Sequence, residues 1–283
     1  MTAFFRCYPL IVAQTVREVL LSKRTLLFVA LALAYPTVAI FASMKLGDRE
    51  RIDEIFCGVT LGVFFQGLVP IVSMFFAVST VREEIASRTL VYLITGPVPR
   101  AAIWLGKFTA AVLVCWLILG AALSIAIVVL PMLGETGFRH DVAITEATLY
   151  APLLPALLAP VAYCAIGTAF AVRLQRAMIT GAVYVVGWEY VVGSTPAQAG
   201  VRSLTVVDSA RAMFFHGVDP QAARQFRGAM LEWASGGRRN MTDALIPSIS
   251  DAVSNLAILT GVALVLALWF GLRRDYDSSS ADD

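Results

Sequence analysis

Long apolar blocks separated by short polar segments set the strongest limit on what this chain can fold into. A helix needs about 20 apolar residues to cross a bilayer, and six blocks reach or approach that length: residues 26–44, 55–79, 104–130, 147–172, 177–193 and 253–272. The chain is 58% hydrophobic and 15% charged, whereas a soluble domain is about 45–50% apolar and about 25% charged. The pattern predicts an all-helical polytopic membrane protein with six transmembrane helices. The fifth block is the weakest, because it is short and contains Glu189.

The distribution of lysine and arginine predicts which ends of the spans face the cytoplasm, because short cytoplasmic loops carry an excess of both. The richer set consists of residues 1–25, 81–100, 173–176 and 273–283. The short loops at the other span ends carry fewer basic residues. Both termini, including the tail 273–283, and the segment 81–100 are therefore predicted to be cytoplasmic. Spans one to five occupy residues 26–193, and the long segment 194–252 is predicted to lie outside.

Two regions outside the apolar blocks are also predicted to be helical. Residues 1–25 repeat apolar side chains every three or four positions, which favours an amphipathic helix along the cytoplasmic face of the bilayer. An ordinary extension of the first span fits the same pattern. Residues 194–252 contain short amphipathic stretches, typical of helices packed on the outer mouth or surface of a bundle. They would form either a lid over an exit path or a passive cap.

The chain lacks the sequence patterns of an enzyme. No GxSxG or HExxH motif and no paired carboxylates occur in an apolar block, so no catalytic or metal site is predicted. Gly106-Lys107 is followed by Phe108, where a phosphate-binding loop has Ser or Thr. We therefore expect no cofactor in this chain, and any ATP-driven activity would need a separate ATPase. The net charge of +2 argues against a nucleic-acid partner.

Residues 81–108, VREEIASRTLVYLITGPVPRAAIWLGKF, place charges and a stiff turn between the second and third spans. The residues of interest are Arg82, Glu83, Glu84, Arg88, Thr89, Pro97, Arg100 and Lys107. The charged residues suit a solvated helix surface, and the prolines break that helix. A short charged helix between two spans can act as a lever on which a docked partner pushes. An ordinary positive loop would also contain Arg and Pro, but the orientation rule does not require the two acids.

This segment resembles the cytoplasmic segment of ABC-transporter type-2 permeases, where an acidic-basic helix, a Pro turn, an Arg and a Gly-Lys pair link the second and third membrane helices. Residues Tyr184–Met213 are similar to some bacterial members, with an aromatic-Glu pair and a turn containing Pro and Gly. One departure is Ser87-Arg88-Thr89-Leu90, since many members have Gly-Thr-Leu after the acids.

The resemblance implies an exporter subunit in a bacterial cytoplasmic (inner) membrane. It implies a homodimeric pair of permease subunits in membrane lipid, joined to a pair of cytoplasmic ABC ATPase subunits that carry the ATP and Mg²⁺. The segment 81–100, with Lys107, would couple the ATPase to the spans. ATPase closure would then tilt the second and third spans and move substrate outward, from the cytoplasm or inner leaflet, by alternating access.

Glu189 is the one acidic residue inside a predicted span. A charge within the bilayer is costly unless it faces protein or water. Two interpretations fit: Glu189 belongs to the translocation path, or it lies near the outer surface and pairs with an arginine such as Arg202. The alternative functions are an ion-coupled secondary carrier that uses Glu189 and a non-transporting membrane anchor of a complex.

Overall fold

Helices account for all regular structure in the residues that the computed structural model describes, 2–46, 52–86, 99–133, 145–192, 204–218 and 247–273. They are α1 Thr2–Leu20, α2 Lys23–Leu46, α3 Ile52–Val59, α4 Val69–Ala86, α5 Arg100–Leu133, α6 Glu146–Tyr150, α7 Leu153–Arg173, α8 Ala177–Val183, α9 Val206–Gly217 and α10 Ile249–Arg273. Two stretches are π-helical: the first π segment, Thr60–Leu68, joins α3 to α4, and the second π segment, Tyr184–Val192, continues α8. The predicted all-helical architecture is confirmed.

Five helical stretches are long and apolar enough to cross a membrane: Lys23–Met44, Ile55–Ile85, Arg100–Met132, Glu146–Arg173 and Ile249–Arg273. They correspond to five of the predicted spans. The remaining one, predicted over 177–193, is the shorter apolar helix Ala177–Val192. At about 1.5 Å of rise per residue this helix extends roughly 24 Å, less than the hydrocarbon layer of about 30 Å. The count of six spans therefore stays a prediction.

The helices on either side of the predicted coupling segment extend further than the apolar blocks. The second span was expected to end at residue 79, but α4 continues to Ala86, and α5 begins at Arg100. Glu83 and Glu84 thus belong to the same continuous helix as the span. Residues 87–98 lie outside the described ranges. Movement of these acids therefore moves the end of the second span directly.

α1 packs along α5. The Tyr8 hydroxyl donates a hydrogen bond to Thr109 Oγ1 at 3.1 Å. A Cβ added to Gly106 would lie 2.9 Å from Ile11 Cγ2, so the absence of a side chain at Gly106 permits the close approach of the two helices. The helix predicted within residues 1–25 is present and ends at Leu20. Its predicted interfacial position remains a prediction.

The first ten residues of α9 are buried on all sides, although the sequence predicts an amphipathic helix at the outer mouth or surface. Residues 206–215 are all buried, including the polar Asp208, Ser209 and Arg211. α9 contacts α7, α10 and the first π segment. Polar groups tolerate such burial only when they find hydrogen-bonding partners. The other residues of the predicted outer segment 194–252, apart from 247–252, lie outside the described ranges.

The contact between α4 and α7 depends on Gly167. A Cβ on this residue would lie 2.8 Å from the Ala77 Cβ and 3.0 Å from the Met74 Sδ. Small residues allow membrane helices to approach this closely. By contrast, a Cβ added to Gly120 in α5 meets nothing within 4 Å. These two glycines form a matched pair of crowded and open positions.

We expect Gly167→Ala to lower the free energy of unfolding by about 1–3 kcal/mol, because the added methyl group overpacks the α4–α7 contact. Gly120→Ala is the control, and the better helix propensity of alanine should leave it neutral or slightly stabilised. Thermal unfolding of the two purified variants in the same detergent measures the difference. Equal melting temperatures would contradict the close approach of α4 and α7.

Candidate functional site

Charged side chains from several helices meet at one end of the bundle. We call them the charged collar: Arg24, Arg82, Glu83, Glu84, Arg100 and Lys107. Arg24 lies at the start of α2 and Lys107 near the start of α5, whereas Glu83 and Glu84 lie near the end of α4. The segments that the Lys/Arg distribution assigns to one side of the membrane thus come together at the collar end.

Glu84 and Lys107 form the buried contact of the collar. The side chain of Lys107 is 1% exposed and forms an ion pair with Glu84, whose side chain is 20% exposed. The Lys107 ammonium also donates to the Thr80 carbonyl oxygen at 3.0 Å. A buried ammonium is costly unless it is paired and hydrogen-bonded, and here both partners belong to α4. The arrangement ties the start of the third span to the end of the second.

Glu83 makes a different kind of contact. It pairs with Arg24, and the two side chains are 55% and 63% exposed, respectively. Surface pairs of this kind contribute only about 0–1 kcal/mol to stability. The pair touches α2 but leaves much of both side chains accessible. Glu83 is therefore the member of the acidic pair that retains room for another partner.

Two arginines of the collar donate to backbone carbonyl groups outside their own helices. Arg82 donates to the carbonyl oxygen of Gln175, in the turn between α7 and α8. Arg100 donates to the carbonyl oxygen of Leu272 at 3.2 Å. That carbonyl lies in the last turn of α10, where helix carbonyls lack intrahelical partners and basic side chains are favoured. The collar thus connects α4 to α2, α5 and the α7–α8 turn, and α5 to α10.

The structure brings together most of the residues predicted to couple to an ATPase. Arg82, Glu83, Glu84, Arg100 and Lys107 all lie in the collar. The other predicted coupling residues, Arg88, Thr89 and Pro97, lie outside the described ranges. Sequence reasoning missed Arg24 and the carbonyls of Thr80, Gln175 and Leu272 as partners. Arg24 carried only a signal for orientation, and backbone acceptors carry no residue-type signal.

A second polar site surrounds Glu189 inside the bundle. Glu189 is 1% exposed and lies in the second π segment. Its Oε1 accepts hydrogen bonds from the Tyr184 hydroxyl at 2.7 Å and the Val206 N–H at 3.2 Å. Its Oε2 accepts from the Tyr163 hydroxyl at 3.1 Å and the Val207 N–H at 3.0 Å. Arg202, the partner considered from the sequence, lies outside the described ranges, and Glu189 is buried in a helix, not exposed in an outer turn.

Glu189 lies well inside the bundle, measured from the collar end. It is roughly 18 Å along its helix from Ala177, at about 1.5 Å of rise per residue, compared with about 30 Å of hydrocarbon. The N-terminus of α9 is therefore at the same depth. The other end of α9 lies further out, because an added Cβ on Gly217 would be 3.0 Å from the Cβ of Ala151, next to the start of α7. α9 thus begins within the bundle and runs outward, away from the collar end.

Both π segments contact α9. The Arg211 guanidinium donates to Gln66 Oε1 in the first π segment at 2.8 Å, and the rings of Phe214 and Phe65 are 6.1 Å apart. Glu189 in the second π segment binds the start of the same helix. π-helical turns are rare and occur frequently at functional sites. The convergence of two of them on one buried helix makes this region the second candidate site.

Neither site offers an obvious place for a bound metal. Within the described part of the chain, no group of three or more His, Cys, Asp and Glu side chains is arranged to hold a metal ion. Both oxygens of Glu189 already accept hydrogen bonds, two from backbone N–H groups that cannot serve as ligands, whereas a Ca²⁺ or Mg²⁺ site needs several oxygen ligands. What the two arrangements do is hold helices together, one at the collar end and one inside the bundle.

Comparison with known proteins supports a transport role for this architecture. A search among curated proteins finds no match. A family model described as an ABC-2 family transporter protein matches residues 19–187. That stretch runs from the end of α1 into the second π segment and includes every side chain of the charged collar. Because the match extends over more than half of the sequence, the chain belongs to the ABC-2 family of transporter permeases.

Proposed function

We propose that this chain is the permease subunit of an ATP-driven ABC exporter that acts as a homodimer with a pair of separate ABC ATPase subunits. ATP and Mg²⁺ would bind to the ATPase. The collar end would face the cytoplasm of a bacterial cell, with both termini on that side of the inner membrane, and substrate would move outward by alternating access. This topology includes Ala177–Val192 as the fifth of six spans.

The observation that carries the proposal is the connectivity of the charged collar. Its contacts join the end of the second span to the starts of the first and third spans and to the turn before α8. A partner that pushes on the collar would therefore move several spans together. The family places this chain in a class of membrane components, and a mechanical link of this kind is what a separate ATPase requires to act on them.

The ion-coupled carrier has weaker support. A carboxylate that carries protons or cations must be able to exchange them, but Glu189 already accepts four hydrogen bonds from groups on α7, α9 and its own helix. Two of these donors are backbone N–H groups, which cannot turn away. We therefore propose that Glu189 serves the translocation path indirectly, through the helix that it holds.

Purification of the tagged chain from native membranes in a mild detergent tests the central proposal. We expect an ABC ATPase to co-purify with it in equal amount, and the preparation to hydrolyse ATP in a vanadate-sensitive manner. Mass spectrometry identifies the partner. Recovery of the folded chain with no ABC ATPase, combined with dependence of its cellular function on the proton gradient, would instead favour the secondary carrier.

Glu83 is the described collar residue best placed to touch the ATPase. We expect Glu83→Lys to weaken co-purification of the ATPase at least severalfold, while thermal stability changes little because the exposed pair with Arg24 contributes only about 0–1 kcal/mol. The double variant Arg24→Glu/Glu83→Lys restores an ion pair with exchanged charges. If Glu83 contacts the ATPase directly, this exchange should not restore binding. Full recovery in the double variant would assign Glu83 to the contact with α2 alone.

Lys107 and Glu84 are expected to act as a rigid connection between the second and third spans. Lys107→Met keeps the length of the side chain but leaves Glu84 without its cation, and we expect it to lower the free energy of unfolding by about 3 kcal/mol. Adding Glu84→Gln should recover part of this loss, because no unpaired charge then remains. Arg24→Met, which breaks the exposed pair, is the matched control and should cost less than about 1 kcal/mol. Equal losses for Lys107→Met and Arg24→Met in thermal unfolding would contradict the buried connection.

A further inference from the structure

The first backbone N–H groups of α9 need hydrogen-bond acceptors, and Glu189 provides them. The first N–H groups of any helix have no intrahelical acceptor, and those of α9 are buried within the bundle, away from its surface. The carboxylate of Glu189 accepts from the N–H groups of Val206 and Val207. The next N–H, that of Asp208, donates to Thr205 Oγ1 at 3.3 Å. These acceptors therefore satisfy the buried N–H groups at the start of α9.

Glu189 joins three separate elements through one carboxylate. Each oxygen accepts one backbone N–H from α9 and one tyrosine hydroxyl. Tyr163 belongs to α7, and Tyr184 opens the second π segment, in which Glu189 lies. The negative charge also faces the positive end of the α9 helix dipole. The contact is strong where α9 begins, whereas the rest of α9 is held by side-chain packing and by the Arg211–Gln66 hydrogen bond.

We propose that Glu189 is a latch that holds the buried helix α9 in the outer half of the bundle, and that the outward step of transport requires the start of α9 to leave this carboxylate. The first half of the proposal concerns only this chain. The second half rests on the proposed function, because it gives α9 the role of a plug in an export route. Glu189 is then a positioning residue, since it acts through α9.

The geometry makes glutamine an informative substitute. Glu189→Gln keeps the size of the side chain but replaces one acceptor oxygen with an NH₂ group, which is a donor. A tyrosine hydroxyl can rotate to accept from that group, but a backbone N–H cannot. Whichever way the amide is oriented, one N–H of α9 loses its acceptor in a buried place, where such a loss is expensive.

Accessibility of α9 provides the test of the latch. Ala210 lies in the middle of α9 and is 1% exposed. We would introduce Ala210→Cys into a variant whose 4 native cysteines are replaced by alanine or serine, and measure its rate of modification by a polar maleimide in lipid nanodiscs. Glu189→Gln should raise this rate roughly tenfold, as expected for one unsatisfied buried donor. Val186→Ala, at a position of the same π segment that is 63% exposed, should leave the rate unchanged.

A milder variant keeps the test decisive if Glu189→Gln does not fold. Tyr184→Phe removes one hydroxyl donor but leaves both N–H contacts in place, so it should fold and raise the modification rate by a smaller factor. Unchanged rates in Tyr184→Phe and, where it folds, in Glu189→Gln would overturn the latch. Equal increases in Val186→Ala would also overturn it, because the effect would then be a general loosening of the helix.

The second half of the proposal is tested in the complex with the co-purified ATPase. Trapping with Mg-ATP and orthovanadate should raise the modification rate at position 210 in the chain with an intact Glu189, and Glu189→Gln should reduce the difference between the trapped and nucleotide-free states. If the cysteine at position 210 in the trapped complex is modified at the nucleotide-free rate although the complex hydrolyses ATP, α9 is a fixed part of the bundle and its release is not part of transport. If no ABC ATPase is recovered, the proposed function fails, while the measurements on the isolated chain still decide the latch.

Discussion

The carboxylate of Glu189 accepts hydrogen bonds from two backbone N–H groups inside the bundle, and these are the first N–H groups of α9. In hydrocarbon every backbone polar group must be satisfied by the protein itself, which is why irregular or interrupted helices occur only where other protein groups surround them. α9 meets this condition through Glu189 and Thr205 at its start and through the burial of residues 206–215. A buried carboxyl group is costly without partners, and here it supplies the hydrogen-bond acceptors that the start of α9 lacks.

The charged collar and the Glu189 site solve different mechanical problems. In the collar, the buried Glu84–Lys107 pair fixes two spans to each other, whereas the exposed Arg24–Glu83 pair connects α2 only weakly. The collar therefore combines one stiff connection with one that water and partners can replace at little cost. Around Glu189 the partners are tyrosine hydroxyls and backbone groups, which define one geometry. The bundle is thus firmly connected at two depths, with apolar packing between them.

Much of the fold followed from apolar periodicity, because a bilayer imposes length and composition on any helix that crosses it. The five long apolar helices, the helix before the first span and the grouping of basic residues at one end were all predictable in this way. The short fifth block was correctly identified as the weakest. Its length of roughly 24 Å, at about 1.5 Å per residue, shows why composition alone could not decide whether it spans.

The sequence could not predict which side chains contact each other across the helices. Lys107 was predicted to belong to the coupling segment, but its burial against Glu84 and Thr80 depends on how α4 packs against α5. α9 lies in the segment predicted to contain amphipathic helices at the outer mouth or surface of the bundle. Its polar residues Asp208, Ser209 and Arg211 are instead buried and find partners inside the bundle. Both π segments also escaped notice, since an extra residue in a helical turn leaves no mark in hydropathy. Glu189 did stand out, as a single acid in an apolar block, and this signal correctly located the second polar site inside the bundle.

The buried position of α9 also has a consequence for how the protein is made. A helix with Asp208 and Arg211 buried in it, and with its first N–H groups unsatisfied, cannot enter lipid by itself. The helices that supply Tyr163, Gln66 and Glu189 must already be inserted and packed before α9 can dock. Insertion of the apolar helices and docking of α9 are therefore separate stages of biogenesis. A chain with every long apolar helix in the membrane is folded completely only after α9 has docked between them.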